Sequence, residues 1–415
     1  MRIAIVGSGI AGLGAAWLLS RAHEVTLFES EERLGGHTHT HDLEVRGRRY
    51  AIDSGFIVHN PHHYPLLTRL FAELGVDSQD TTMSFAVKNE ASGLEYNATD
   101  LNRLFCQRRN LLRPSFWRMV SDILRFYREA PALLDLDVPG PSIGEYLRQN
   151  RYGRLFIEDH LIPMASALWS SPTAQVGEFP AKYLVRFMAN HCMLSAGERP
   201  PWKVVRGGST RYIDAMLPRL RAQLRTACPV RSVSRDAEGV TVVSAAGSER
   251  YDQVVFACHA DQALALLADP SMAEQVVLGA FRFQANDTVL HTDTRVLPRN
   301  RKAWAAWNAL IPAQPGADCT VSYSMNLLQG IESDTQFIVS LNCTDRIDPA
   351  KILRRMVYTH PIYTHASVAA QTRWSEINGV ARSWYCGAWW GWGFHEDGLR
   401  SAVRVAEALG QPWTS

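Results

Sequence analysis

The chain has 415 residues, and 46 % hydrophobic against 20 % charged side chains give it a globular composition with material for two domains. Forty-three Lys and Arg against forty-one Asp and Glu leave a net charge of +2, which excludes a protein built on non-specific nucleic-acid binding. The seven cysteines (Cys106, Cys192, Cys228, Cys258, Cys319, Cys343, Cys386) are odd in number, far apart and without a C-x-x-C pair, so the composition argues against a disulfide framework or zinc ribbon and for a reducing compartment.

Arg2 to Val6 (RIAIV) reads as a buried parallel strand that ends at glycine. Gly7-Ser8-Gly9-Ile10-Ala11-Gly12 follows as G-x-G-x-x-G, and helical character continues to Leu19. The uncharged run from Ile3 to Ser20 imitates a signal peptide or membrane span. Glycines at positions 7, 9, 12 and 14 weaken a continuous helix there, however, and no A-x-A-like cleavage site follows, so a soluble or peripheral protein is expected. A second strand is predicted over Glu24 to Phe28, closing on Glu29. Gly7 permits the tight turn, Gly9 lets a pyrophosphate approach the backbone, and Gly12 lets helix and strand pack closely. The unpaired N–H groups at the helix start suit phosphates, and Glu29 suits ribose hydroxyls. These features in register predict a dinucleotide site without separating NAD from FAD.

Further segments extend the pattern. Glu29-Ser30-Glu31-Glu32-Arg33-Leu34-Gly35-Gly36-His37 sets a basic residue and Gly-Gly after the acid, and Asp53-Ser54-Gly55-Phe56-Ile57 comes next. Val230 is the second residue of PVRSVSRDAEGVTVV, a returning strand is expected within Tyr251 to Cys258, and Tyr385-Cys386-Gly387-Ala388 precedes Glu396-Asp397-Gly398-Leu399. Together these segments resemble FAD-dependent flavoproteins of the amine-oxidase type. The resemblance implies an α/β fold, a Rossmann-type FAD-binding domain interleaved with an α+β substrate domain. It implies FAD held by Gly7, Ser8, Gly9, Ile10, Ala11, Gly12, Glu29, Ser30, Arg33, Gly35, Gly36, His37, Gly55, Phe56, Ile57, Val230, Gly387, Asp397, Gly398 and Leu399. Asp397 is read as the cap of a helix from Gly398 to Leu409 whose first N–H groups face the flavin. The sequence around Cys386 lacks the pattern used for covalent attachment, so the FAD is expected to be non-covalent.

DSGFIVHNPHHYPLLTRLFAELGV, TVLHTD, SYSMNLLQ and CGAWWGWGFHEDGL are similar to a bacterial flavoprotein group that also forms the N-terminal half of plant cyclopropane fatty acid synthases. The same group is similar to flavin-dependent fatty acid double-bond isomerases and to the desaturase of bacterial furan fatty acid synthesis. This implies an enzyme acting on a fatty acyl or phospholipid substrate, first as a desaturase with molecular oxygen as oxidant. A redox-neutral isomerase, a flavin-binding partner of an acyl-lipid methyltransferase, and an amine oxidase are the alternatives. Amine oxidases of this type carry a lysine on a substrate-domain strand. Asn286-Asp287-Thr288-Val289-Leu290 aligns Asp287 there, and Ala388 stands where the family has an acid, which disfavours simple amine oxidation.

The nucleotide-binding segments fall in residues 1–75, 203–275 and 368–415, leaving 76–202 and 276–367 for the substrate domain. The latter contains a strand-like run from Gln336 to Asn342. Trp169, Phe187, Met193, Trp202, Trp304, Trp307 and Met325 suit either an acyl tunnel or ordinary core packing. Tyr323 and His191 are the candidate catalytic proton carriers, since both titrate or hydrogen-bond within that domain; packing is the other reading. Arg113 to Arg128 has helical spacing, with Phe116, Val120, Ile123 and Tyr127 on one face and Arg118, Arg125 and Arg128 nearby. Such a helix either lies on an anionic membrane or packs on its own core, so the expected location is cytoplasmic, with a place at the inner membrane face if the former holds. His37, His39 and His41 would share one face of a strand, but no cysteine or carboxylate cluster completes a site and no metal is expected. His59, His62 and His63 are read as a loop and helix start beside the flavin.

Overall fold

Ile3, Ala4 and Ile5 are fully buried, as a central parallel strand covered on both faces requires. The computed structural model describes residues 1–169, 171–194, 200–314 and 316–414. They divide into one unit of residues 1–78, 205–283 and 366–415 and a second of 79–204 and 284–365.

In the first unit, Arg2–Val6 is the middle of a five-stranded sheet ordered Gln223–Arg225, Glu24–Phe28, Arg2–Val6, Gln253–Phe256, Ser383–Tyr385. Each neighbouring pair is parallel. The helix Ile10–Leu19 makes the first crossover, and nine of its residues are buried. It packs against the helix His395–Ala408: a Cβ on Gly14 would lie 2.6 Å from Leu399 Cδ1. A three-stranded antiparallel sheet (Val230–Arg235, Val240–Ser244, Gly247–Tyr251) and the hairpin Thr40–Val45 with Arg48–Asp53 also belong to this unit.

An ion network links three of these elements. Arg235 and Glu274 side chains are 3 % and 2 % exposed. Arg235 Nη1 and Nη2 donate to Glu274 Oε1 and Oε2 at 2.5 and 3.0 Å, and Nε donates to Asp269 Oδ1 at 3.0 Å. Glu274 also accepts from Tyr385 OH at 2.5 Å and from the Ser271 amide at 2.8 Å. One bidentate pair thus joins the strand Val230–Arg235, the helix Met272–Gly279 and the strand Ser383–Tyr385.

The second unit is built on a seven-stranded mixed sheet ordered Ile352–Ile362, Arg282–His291, Ile338–Leu341, Thr320–Ser324, Trp307–Ile311, Phe85–Asn89, Leu94–Asn97. Trp307–Ile311 and Phe85–Asn89 pair in parallel, and both flank antiparallel ladders. The run Gln336 to Asn342 supplies only Ile338–Leu341 as strand, all four residues buried. The helix Pro114–Glu129 buries Phe116, Met119, Asp122 and Phe126. Val120, Ile123 and Tyr127 are only half-buried, so the apolar face is rotated by about one residue from the sequence expectation. Trp304 packs on the cluster of Val289, Leu310, Ile338 and Cys343, and its Nε1 donates to Pro298 O at 2.8 Å. That side chain is core, not tunnel lining.

Candidate functional site

The glycine turn is held from three sides within the first unit. Gly7 has φ +103°, and a Cβ there would lie 2.8 Å from Ala257 O. Gly7 N donates to Phe28 O at 2.8 Å. Ser8 donates to Glu29 Oε2 from N at 3.0 Å and from Oγ at 2.6 Å. The other carboxylate oxygen accepts from Ser30 Oγ at 3.1 Å and Glu31 N at 2.9 Å. Gly35 N reaches back to Ser8 O and Oγ, each at 3.1 Å. Arg33 donates to Thr38 O at 2.9 Å and Gly36 O at 2.8 Å. Gly36 (φ +56°) comes so close to Gly9 that an added Cβ would stand 3.0 Å from Gly9 Cα.

Residues further along the chain gather at the same turn. Phe56 N donates to His37 O at 2.8 Å, while Phe56 and Ile57 are buried. Phe56 stacks on His395, with centroids 3.7 Å apart. Val230 begins its strand beside an irregularity in register, and Cys228 N, two residues earlier, donates to Glu29 O at 2.8 Å. Gly387 N donates to Ser401 Oγ at 2.8 Å, and Ser401 Oγ donates to Gly398 O at 2.7 Å. Leu399 is buried against the helix that begins with Ile10 and Ala11.

Two expectations are corrected here. The last helix starts at His395, three residues before Gly398, and ends at Ala408. Asp397 therefore lies in its first turn and reaches back, accepting from Phe394 N and Trp392 N, both at 3.1 Å. A carboxylate at the third helical position binds the preceding backbone as readily as one at the cap, and sequence alone does not separate the two. The histidines of HTHTH do not share a strand face, because the strand starts at Thr40 and contains only His41. His41 Nε2 is paired with Ser54 Oγ at 2.9 Å.

Three buried groups have roles that the sequence does not assign. Asp53 is fully buried and accepts from Thr40 Oγ1 at 2.6 Å, Ser209 N at 2.8 Å and Ser209 Oγ at 2.9 Å. Glu396 caps the helix Pro65–Leu74 by accepting from Leu66 N and Leu67 N at 3.0 Å each. His395 Nε2 lies 2.9 Å from Thr38 Oγ1, which is 2.7 Å from Tyr212 OH. Burial, then His37 and His59, keeps His395 neutral far below the ordinary imidazole range.

Burial pushes the Asp53 carboxyl up to about 6, against the pull of its three hydrogen bonds. The folded chain therefore holds this proton more tightly than the unfolded chain. Its contribution to stability is complete below about pH 4 and is lost as pH rises through about 6, a change of roughly 2–3 kcal/mol. Asp53→Asn is expected to flatten that part of the pH profile. Urea unfolding from pH 4 to 7 measures it; parallel profiles for both proteins would remove Asp53 as the cause.

FAD fits this arrangement. The helix Ile10–Leu19 has no side-chain cap and no acid in its first turn, so its N–H groups are offered to an anion. A Cβ on Gly9 would meet nothing within 4 Å, which leaves open space over the turn. Asn60 is fully buried, and its Nδ2 has no hydrogen-bond partner among the described residues.

The candidate proton carriers lie in the second unit. Tyr323 OH donates to Ala167 O at 3.3 Å, and its ring is edge-on to Trp307. Trp169 packs edge-on to Phe187, which stacks on His191 at 4.0 Å. His191 Nδ1 lies 2.9 Å from Phe187 O. Asp287 is exposed and accepts from Thr344 Oγ1, while Asn286 and Thr288 are the buried neighbours. It is therefore not an inward-facing acid. The Ser322–Ser340–His291 chain, with contacts of 2.6 and 2.8 Å, resembles a hydrolase array, but every member is fully buried. His291 Nδ1 accepts from Asp293 N at 3.0 Å, so the chain is an internal sheet tie.

Residues 10–293 match the flavin containing amine oxidoreductase family. A curated relative described as a flavin-containing monoamine oxidase, from Mycobacterium tuberculosis, is 27 % identical over 284 residues, which is 65 % of this chain. The chain spans 9 % and 59 % of the lengths of the first curated relatives it matches. Among solved structures, a CLA-producing fatty acid isomerase from P. acnes superposes with TM-score 0.70 at 14 % identity, covering 100 % of this chain and 99 % of the other. Cyclohexylamine oxidase from Brevibacterium oxydans gives TM-score 0.67 at 15 % identity, covering 99 % of each.

Proposed function

The chain belongs to the flavin-containing amine oxidoreductase family, a family of FAD-binding oxidoreductases, and from that premise we propose that it removes hydrogen from a fatty acyl chain. The observation that carries this reading is the apolar, aromatic interior of the second unit. The inward residues of Ile162–Trp169 and Ala181–Asn190 are uncharged, with Trp169, Tyr183, Leu184 and Phe187 buried. The strand Arg282–His291 holds no lysine, in keeping with a substrate other than an amine. The fold it shares with a fatty acid isomerase supports the same substrate class.

When bound, FAD supplies an acceptor for the hydride of an acyl C–H bond. The chain would hold it through the Gly7–Gly12 turn at the pyrophosphate, Glu29 at the ribose and the Val230 backbone at the adenine. Attachment is non-covalent in this reading: burial pushes the Cys386 thiol far above its ordinary range, and a buried protonated thiol is a poor nucleophile. His191 with Nδ1–H donating to Phe187 O has Nε2 as its basic atom, suited to taking a proton from the carbon next to the hydride donor. Tyr323 OH, anchored on Ala167 O, would orient that carbon or relay the proton. Molecular oxygen is the proposed oxidant.

His191→Gln and Tyr323→Phe should each lower turnover on an acyl substrate by roughly 10²-fold or more while FAD content stays unchanged. Full turnover in both variants would take the proton-handling role away from these residues. The second reading is the redox-neutral isomerase, favoured by the same structural neighbour. Peroxide release during turnover separates them: a desaturase forms it, and an isomerase moves a double bond without it.

A further inference from the structure

The second unit exposes apolar side chains in one stretch where they are least expected. Leu112 is 88 % exposed, the highest value among the large hydrophobic residues described. Leu101 (73 %), Leu124 (53 %), Trp117 (48 %) and Leu111 (46 %) accompany it. Trp117 Nε1 donates to Leu111 O at 2.9 Å, and its ring lies 5.0 Å from Phe105, so indole and leucine loop form one patch. Trp117, Ser121, Leu124 and Arg128 follow one another at helical spacing along the outer stripe of Pro114–Glu129. The opposite face, Phe116, Met119 and Phe126, is buried, so this helix already has a core partner and its outer stripe is a second apolar surface.

The charge around the patch is predominantly positive. Residues 100–129 contain seven arginines and three acids, Asp100, Asp122 and Glu129, an excess of four positive charges where the whole chain carries only +2. Asp122 is buried and turned toward Arg125 at 3.2 Å. Arg118 is 67 % exposed beside the stripe, and Arg128, 73 % exposed at its end, pairs with Glu129 at 2.8 Å.

We propose that this face, Leu111, Leu112, Trp117 and Leu124 within their arginine belt, docks on an anionic phospholipid surface. Leucines and an indole that protrude rather than line a cleft suit insertion below lipid headgroups, where the ring's N–H stays satisfied by Leu111 O and the apolar atoms leave water. The arginines then lie at headgroup level, where each adds attraction to negative lipid and can lay its aliphatic stem along the acyl boundary. A partner protein with an acidic rim would satisfy the charge equally, but the extreme exposure of Leu112 favours the bilayer. The surface stands on these residues alone and does not require the acyl-chain reading of the active site.

The experiment is co-flotation of the FAD-loaded protein with 100 nm vesicles (about that size) of phosphatidylcholine with or without 30 % phosphatidylglycerol (roughly that fraction). The wild type is expected to float with the anionic vesicles at low salt, and to bind neutral vesicles at least about tenfold more weakly. Leu112→Glu with Leu124→Glu should lower binding about tenfold or more, with an unchanged flavin spectrum reporting an intact fold. Arg118→Glu should weaken binding to anionic vesicles and leave any residual binding to neutral ones unaltered. No binding by the wild type at low salt overturns the proposal, as does equal binding by the double variant. A concentration-dependent dimer that forms without vesicles, competes with flotation and is lost in the double variant would also overturn it, assigning the face to a second copy of the chain.

Discussion

A Gly12→Val variant is expected to purify without its flavin and to unfold at lower urea than the wild type. A Cβ at Gly12 would overlap the carbonyl oxygen of Gly7 and press on Ala257 Cβ at 3.2 Å, so the turn has to open. Gly7 cannot yield easily, because its amide is bonded to Phe28 O and its own added Cβ would meet Ala257 O. Overpacking of this kind destabilises by roughly 1–3 kcal/mol, and the displaced helix start loses its aim at the phosphates. Flavin content after purification should fall at least about tenfold. Gly9→Ala is the companion: its Cβ meets no protein atom, so stability should hold while FAD binding weakens. The flavin-to-protein absorbance ratio and urea midpoints check both variants. Full flavin content in Gly12→Val would contradict the turn as the phosphate cradle.

Glu274→Ala has the largest expected effect on stability, a loss of about 3–5 kcal/mol. It strands the nearly inaccessible Arg235 guanidinium, along with the Tyr385 hydroxyl and the Ser271 amide. Burial raises the Glu274 pKa, but the hydrogen bonds from Arg235, Tyr385 and Ser271 outweigh it and hold the carboxyl below its ordinary value. Replacing both members of the pair by apolar residues should cost less than Glu274→Ala alone, since no charge is then left buried. Urea midpoints of the single and double variants decide the order. A single variant as stable as the wild type would show that the contacts Arg235 already makes with Asp269 suffice to hold its charge.

Much of the nucleotide-binding fold was legible because its signals are local. Strand, glycine turn and helix lie within the first nineteen residues, and each obeys its own period and turn chemistry. The Arg235–Glu274–Tyr385 network was not legible, since its members come together only through long-range packing. Glu396 illustrates the same limit: it looks like a first-turn acid of its own helix, yet its carboxylate caps another helix 329 residues away. Asp287 marks the limit of reading a strand from alternation alone. Alternation says that Asn286 and Thr288 share a face opposite Asp287, but with polar residues on both faces it does not say which face is inward. A histidine beside Glu-Asp reads as helix-start polarity, so the sequence alone does not single out His395. Its stacking on Phe56 and its link through Thr38 to Tyr212 depend on segments more than three hundred residues upstream and about one hundred and eighty residues upstream.

The central functional claim is that an acyl chain, not an amine, gives up hydrogen to this protein. Its most direct measurement is anaerobic mixing of the FAD-loaded protein with unsaturated or methyl-branched acyl lipids and, separately, with primary amines and polyamines, while the visible flavin absorption is recorded. Loss of that band with an acyl lipid, its return on admitting air, and no change with amines is the predicted result. Loss of the band with an amine and none with any acyl lipid would contradict it.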